Sequence, residues 1–262
     1  MDESVKKDRF SVRSIKGMKA QEIKQLQSES EVSGWEHGVW TEEYLGPKGR
    51  THESEYLERE DKIETTKRIF DYLETYHPQI VDLKSDSKVI ELGCNLGRNL
   101  REAHGRYGCE VFGIDINQYV VDKCNSDLGY EDNFRKLNID DGNGLSIYGD
   151  DEFDLAITSA FLLHIPAWEG KQNLVSEILR ISKRAWFFEF LRPDNVWHGY
   201  RKGGCTTGES LITYDDRIVC LGVDIMGELG LLGSIRERHG MHPPFQGTHG
   251  YHHYKLYVFS KE

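Results

Sequence analysis

Two carboxylates and a pair of glycines, set at fixed intervals, are the residues of this chain best suited to do chemistry. Glu91 precedes the turn Gly93-Cys-Asn-Leu-Gly97, and Asp115 stands 22 residues beyond Gly93. Each acid closes a short apolar run, Val89 to Leu92 and Cys109 to Asn117. Glycine in such a turn lets the backbone approach a ligand where a Cβ would hold it off. The residues after Gly97 read as the start of a helix, whose first N–H groups have no partner within the helix. A carboxylate like Asp115 can accept from two vicinal hydroxyls at once, and its spacing suits that use at the tip of a second strand. The alternative is a helix cap, a role for which Asn117 is an equally good candidate.

The commoner nucleotide loops fit less well. A dinucleotide fingerprint places glycine two residues after the first, where this chain has Asn95. A P-loop requires Lys after its last glycine, and Arg98 follows Gly97.

Two further marks follow in order. After a predicted strand from Phe134 to Ile139 comes Asn138-Ile-Asp-Asp-Gly142, with Asp140 and Asp141 as rival acids. Then Glu152-Phe-Asp-Leu-Ala-Ile-Thr-Ser159 leads into Ala160-Phe-Leu-Leu-His-Ile-Pro166. Taken together, the four marks resemble the class I S-adenosylmethionine (SAM) dependent methyltransferases over roughly residues 86–166. The resemblance implies SAM as cofactor and S-adenosylhomocysteine as product. It places Glu91, Gly93, Asn95, Gly97 and Asn99 around the amino-acid end of SAM. Asp115 falls on the ribose hydroxyls, Ile116 on the adenine face, and Asp140 or Asp141 at the adenine amino group. Ser159 falls beside the path of methyl transfer. His164 follows it, either as a base or as a packed, hydrogen-bonded histidine of the kind that many family members carry without using.

These residues need a sheet that brings strand ends together. The resemblance implies an α/β fold: a doubly wound, seven-stranded, mostly parallel sheet of Rossmann-like type, with an N-terminal helical extension. Ala185 to Leu191 is almost wholly apolar and reads as strand five. A helix is expected over Tyr214 to Leu231, weakened by Gly222, Gly227 and Gly230. Ser234 to His239 and Tyr254 to Ser260 are the expected final strands, the last with alternating sides. From Ser54 onward Tyr56, Ile63, Phe70 and Leu73 keep nearly one helical face ahead of strand one. Residues 1–53 form the extension. Its first 33 residues are polar, and Trp35, Trp40 and Tyr44 then gather as a lid or a packed arm. Residues 54–262 make the methyltransferase domain, with a polar insertion at about 192–213 and a His-rich loop at 239–253.

Composition narrows the acceptor. The net charge is −11, and between residues 102 and 160 thirteen acids face four bases. That balance argues against a nucleic-acid partner, which needs a basic stripe. No apolar stretch reaches the length of a membrane span. Five scattered cysteines without a C-x-x-C pair suit free thiols in the cytoplasm. The insertion carries Arg192, Trp197, His198, Tyr200, Arg201 and Lys202, which suit a polar or anionic small molecule or saccharide acceptor. Five of eleven histidines lie between His239 and His253. They either line the acceptor pocket, bind a metal or sit on the surface, and the expectation is that no metal is bound.

The function implied is O-methylation of a polar small molecule or glycan building block by direct in-line transfer. Holding the acceptor in line is the main task, and His164, His198, His253 and Glu189 are the candidate bases. A SAM-binding protein without transfer activity, and a nucleotide- or NAD-dependent enzyme on a related sheet, are the alternatives.

Overall fold

The computed structural model describes residues 53, 56–139, 143–162, 165, 168–191, 211, 215–221 and 253–261. A first helix, α1 (Glu60–Tyr76), precedes β1 (Lys88–Leu92). Then follow α2 (Arg98–Tyr107), β2 (Glu110–Asp115), α3 (Gln118–Leu128) and β3 (Phe134–Lys136). β4 (Leu155–Ser159), α4 (Trp168–Ile181) and β5 (Arg184–Leu191) continue the alternation. The last described strands are β6 (Val219–Cys220) and β7 (His253–Ser260).

One sheet holds all seven, in the order β3-β2-β1-β4-β5-β7-β6. β1 to β5 are parallel, while β7 runs antiparallel between β5 and β6. β2 and β3 lie on one side of β1, and β4 and β5 lie on the other. The reversal therefore falls between β1 and β4, where doubly wound sheets leave a crevice at their carboxyl ends.

Both faces are covered, so the central strands read as continuous apolar runs. Val89, Val111, Leu155, Ile157, Trp186 and Phe188 face the layer that contains Phe70, Leu73, Leu100 and Val121 of α1, α2 and α3. Ile90, Leu92, Ile114, Ala156 and Phe187 face Leu174, Val175 and Ile178 of α4. Phe70 meets the indole of Trp186 edge-on at 6.0 Å and 88°. In β7 the expected alternation is present, with both sides buried: Leu256 and Val258 join the first layer, Tyr257 and Phe259 the second.

The region expected to form a helix from Tyr214 starts differently. Asp215 accepts from the N–H of Arg217 at 3.0 Å, making a turn, and Val219–Cys220 pair with Val258 and Tyr257 as β6. The short turn and the β-branched Ile218 and Val219 favour an edge strand there over a helix. Strand three is also shorter than expected, ending at Lys136, although Ile139 still packs in the core. The expected strand at 234–239 and the extension before residue 53 lie outside the described residues.

Candidate functional site

The carboxyl ends of β1, β2 and β4 meet at the sheet reversal. There Glu91, Gly93, Cys94, Asn95, Leu96, Arg98, Asn99 and Ser159 line one cleft, joined by Tyr56 from before α1. Sequence reasoning thus placed six of its candidates on one surface or in its hydrogen-bonded wall: Glu91, Gly93, Asn95, Asn99, Ser159 and Asp115.

The turn after β1 is sewn to the end of β2. The N–H groups of Gly93 and Cys94 both donate to the carbonyl of Ile114, at 2.8 and 3.0 Å. The next N–H, that of Asn95, donates to Asp115 Oδ2 at 2.9 Å. Asp115 Oδ1 takes the N–H of Asn117 at 2.9 Å. Asn117 itself is the cap of α3, its side chain accepting from Tyr119 N at 2.9 Å. Asp115 is therefore not the cap. It braces the turn through both carboxylate oxygens.

Backbone conformation explains the residue types. Gly93 and Gly97 both have φ of +68° and Asn95 has +47°, in the left-handed region. Asn is among the few residues with a side chain that tolerate it, and here its Oδ1 also accepts the N–H of Leu96 at 2.7 Å. A Cβ on Gly93 would lie 2.3 Å from the ring of Phe161. The glycine thus makes room for Phe161, a residue that the sequence did not single out.

Glu91 is the most unusual group. It is 3% exposed, and its Oε1 accepts from Asn99 Nδ2 at 2.5 Å. Its Oε2 is buried with no hydrogen-bond partner. Burial pushes its carboxyl up to about 8; the bond from Asn99 and the charge of Arg98 pull the other way, and Asp115 adds to the rise. Asn99 is itself fixed by Thr66 of α1, whose hydroxyl donates to Asn99 Oδ1 at 2.8 Å.

Glu189, considered above as a base, is fully buried at the end of β5. It takes the N–H of Phe161 at 3.2 Å. Burial pushes it up to about 7, opposed by the Thr158 hydroxyl, the N–H groups of Phe161 and Leu162, and the charge of Lys171. Its observed contact holds the segment after β4. Ile116 follows Asp115 and is half-buried. His253 opens β7 opposite Leu191. Asp140, Asp141, His164 and His198 lie outside the described residues. So do Trp35, Trp40 and Tyr44, the polar insertion apart from the buried Leu211, and the other tail histidines. Among the described residues no group of three His, Cys, Asp or Glu is placed to hold a metal ion. No described helix is long and apolar enough to cross a membrane.

Comparison with known proteins agrees with this geometry. Residues 89–185 match the family described as "Methyltransferase domain". A sterol 24-C-methyltransferase of Gibberella zeae is 29% identical over 122 residues, 46% of this chain and 32% of its own length. The chain spans between 32% and 45% of the lengths of the curated relatives it matches. Geranyl diphosphate C-methyltransferase from Streptomyces coelicolor, solved with Mg²⁺, geranyl diphosphate and S-adenosylhomocysteine, superposes with a TM-score of 0.52 at 15% identity. That match covers 93% of this chain and 98% of the other. A phosphoethanolamine N-methyltransferase of Haemonchus contortus, solved with S-adenosylhomocysteine, gives 0.50 at 11% identity, covering 80% and 59%.

Proposed function

From membership of the class I SAM-dependent methyltransferase family, carried by residues 89–185, we propose that this protein transfers the methyl group of SAM to a small-molecule acceptor. The observation that carries the reading is the lone Oε2 of Glu91, buried at the cleft beside Asp115, which closes the next strand.

The residues present suit this cofactor. SAM brings an activated methyl on a sulfonium, together with a zwitterionic amino-acid end, a ribose and an adenine. Glu91 Oε2 is an acceptor for the ammonium. α2 begins at Arg98 with no side-chain cap, so its first N–H groups and dipole favour the carboxylate. The N–H groups of Gly93 to Asn95 are committed to Ile114 and Asp115, so the turn contributes shape more than donors. Asp115 accepts from the ribose hydroxyls, Ile116 lies against adenine, and Asp140 or Asp141 receives the adenine amino group. Ser159 and Phe161 border the transfer path. The chain's contribution to rate is orientation, worth up to about 7–11 kcal/mol for well-aligned reactants.

An oxygen acceptor on a polar small molecule or glycan building block is the first reading, supported by the cations and aromatics of residues 192–202. It calls for a base, with His164, His198 and His253 as candidates. A carbon or nitrogen acceptor is the second reading. The names of similar proteins favour it: a sterol and geranyl diphosphate C-methyltransferase, and a phosphoethanolamine N-methyltransferase.

Calorimetric titration with SAM, S-adenosylhomocysteine and NAD is the test. Binding of both adenosyl ligands, lost in Asp115→Ala, is expected; NAD binding without them overturns the reading. Incubation with methyl-labelled SAM and candidate acceptors then separates transfer from mere binding, since only an enzyme yields a product of higher mass. The labelled atom in that product decides between oxygen, carbon and nitrogen.

A further inference from the structure

Thr66 is a hydroxyl on the buried face of a helix that otherwise packs apolar side chains. It falls between Ile63 and Phe70 on α1 and is 2% exposed. No motif contains it, and it does not line the cleft. Its two bonds nevertheless connect to the cleft in a directed way. Arg98 Nε donates to Thr66 Oγ1 at 2.8 Å, and Thr66 Oγ1 donates to Asn99 Oδ1 at 2.8 Å. Asn99 Nδ2 then donates to Glu91 Oε1 at 2.5 Å.

The direction follows from the chemistry of the ends. A guanidinium has donors only, and an ionised carboxylate has acceptors only. Between them the hydroxyl receives from Arg98 and spends its single proton on the Asn99 carbonyl. The amide must then turn its NH₂ toward Glu91. With the amide reversed, its NH₂ would face the Thr66 proton, donor against donor, and its oxygen could pair only with a protonated Glu91. One carboxylate oxygen is thereby occupied, and the other, Oε2, is left without a hydrogen-bond partner in a residue that lines the cleft.

We propose that Thr66 is a positioning residue: it fixes the orientation of Asn99 and through it presents Glu91 Oε2 to the amino group of the bound cofactor. This inference rests on the SAM reading above. It also links α1, which follows the cleft residue Tyr56 by a few positions, to the acid of the cleft. The other groups that act on Glu91 are Arg98 of α2, which favours its ionised form, and Asp115 at the end of β2, which opposes it.

The experiment measures S-adenosylhomocysteine affinity by calorimetry between pH 6 and 9, with thermal melts as the check on folding. Thr66→Val keeps the shape and removes the hydroxyl; Thr66→Ala is the second variant, and Thr66→Ser restores the hydroxyl. At pH 7, Val and Ala are expected to bind about tenfold more weakly, the scale of one hydrogen bond to a charged network. The midpoint of their affinity against pH moves upward, because the ionised acid is less well supported. Thr66→Ser returns both values to those of the wild type. In an Asn99→Ala background Thr66→Val adds no further loss, as expected for two residues acting in series. Unchanged affinity and midpoint in both Val and Ala, or additive losses with Asn99→Ala, overturn the inference. Failure of the wild type itself to bind S-adenosylhomocysteine overturns the cofactor reading, which is a distinct result.

Discussion

At the scale of single residues, the protonation of Glu91 is the feature most open to measurement. Burial holds its carboxyl near 8, so the free protein at pH 7 keeps it mostly protonated. Accepting from an ammonium requires the ionised form. Cofactor affinity therefore rises with pH up to about 8 and levels above it, and binding at pH 7 releases a proton. A rise in S-adenosylhomocysteine affinity of roughly fivefold to tenfold between pH 7 and the plateau is the expected size for one such group. Glu91→Gln should bind more weakly at pH 8 and show a flat profile. Calorimetry in buffers of different ionisation heat counts the proton directly, and a wild-type profile as flat as the variant's would contradict the assignment. Glu91 and Asp115 were legible because a carboxylate at a strand end beside a glycine turn has few structural uses. Their surroundings were less legible. Asp115 braces Asn95, and Asn95 takes the left-handed conformation that another chain would give to glycine.

At the scale of elements, the turn after β1 and the segment after β4 share one space. Gly93→Ala would bring a methyl group to 2.3 Å from the Phe161 ring, at a backbone φ of +68°. Overpacking of this kind costs about 1–3 kcal/mol, and the left-handed backbone costs about 1–2 kcal/mol more. Chemical denaturation should show both in the single variant and mainly the backbone part in Gly93→Ala combined with Phe161→Ala. Equal destabilisation in the two would mean that the ring moves aside freely. Elements with one strong period were readable in advance: α1 from its apolar face, and β1, β2, β4 and β5 from their apolar runs. Thr66 carried a signal too, a polar residue at the spacing of Ile63 and Phe70, but nothing local said what it would touch. The segment after Tyr214 misled because its helical spacing was weak and its β-branched pair short. Pairing with β7 decided its structure, and partners 37 and 39 residues away in sequence are invisible to a local pattern.

At the scale of the whole molecule, the sheet depends on a few large anchors and tolerates two buried acids. Phe70 fixes α1 against Trp186, and Phe70→Ala should cost about 3–5 kcal/mol in urea unfolding. Because α1 also carries Thr66, cofactor affinity should fall with it. Glu91 and Glu189 both hold protons in the folded state at pH values where an unfolded glutamate has lost them. The native state binds more protons through that window, so the stability of the cofactor-free protein declines as pH rises from about 5 to 8. Melting temperatures across that range check the sign, and Glu91→Gln should shallow the slope. The parallel order of β1 to β5 followed from the alternation of strands and helices. The place of β7 required knowing which distant segment closes the sheet. Leu191 pairs with His253, and the inserted strand covers the whole length of β5. That arrangement has a consequence for the nascent chain. A ribosome adds about 5–20 residues per second, so β5 emerges seconds before the strand that will cover its flank. In that interval the half-built sheet offers an uncovered apolar edge, the moment at which a chaperone has most to do.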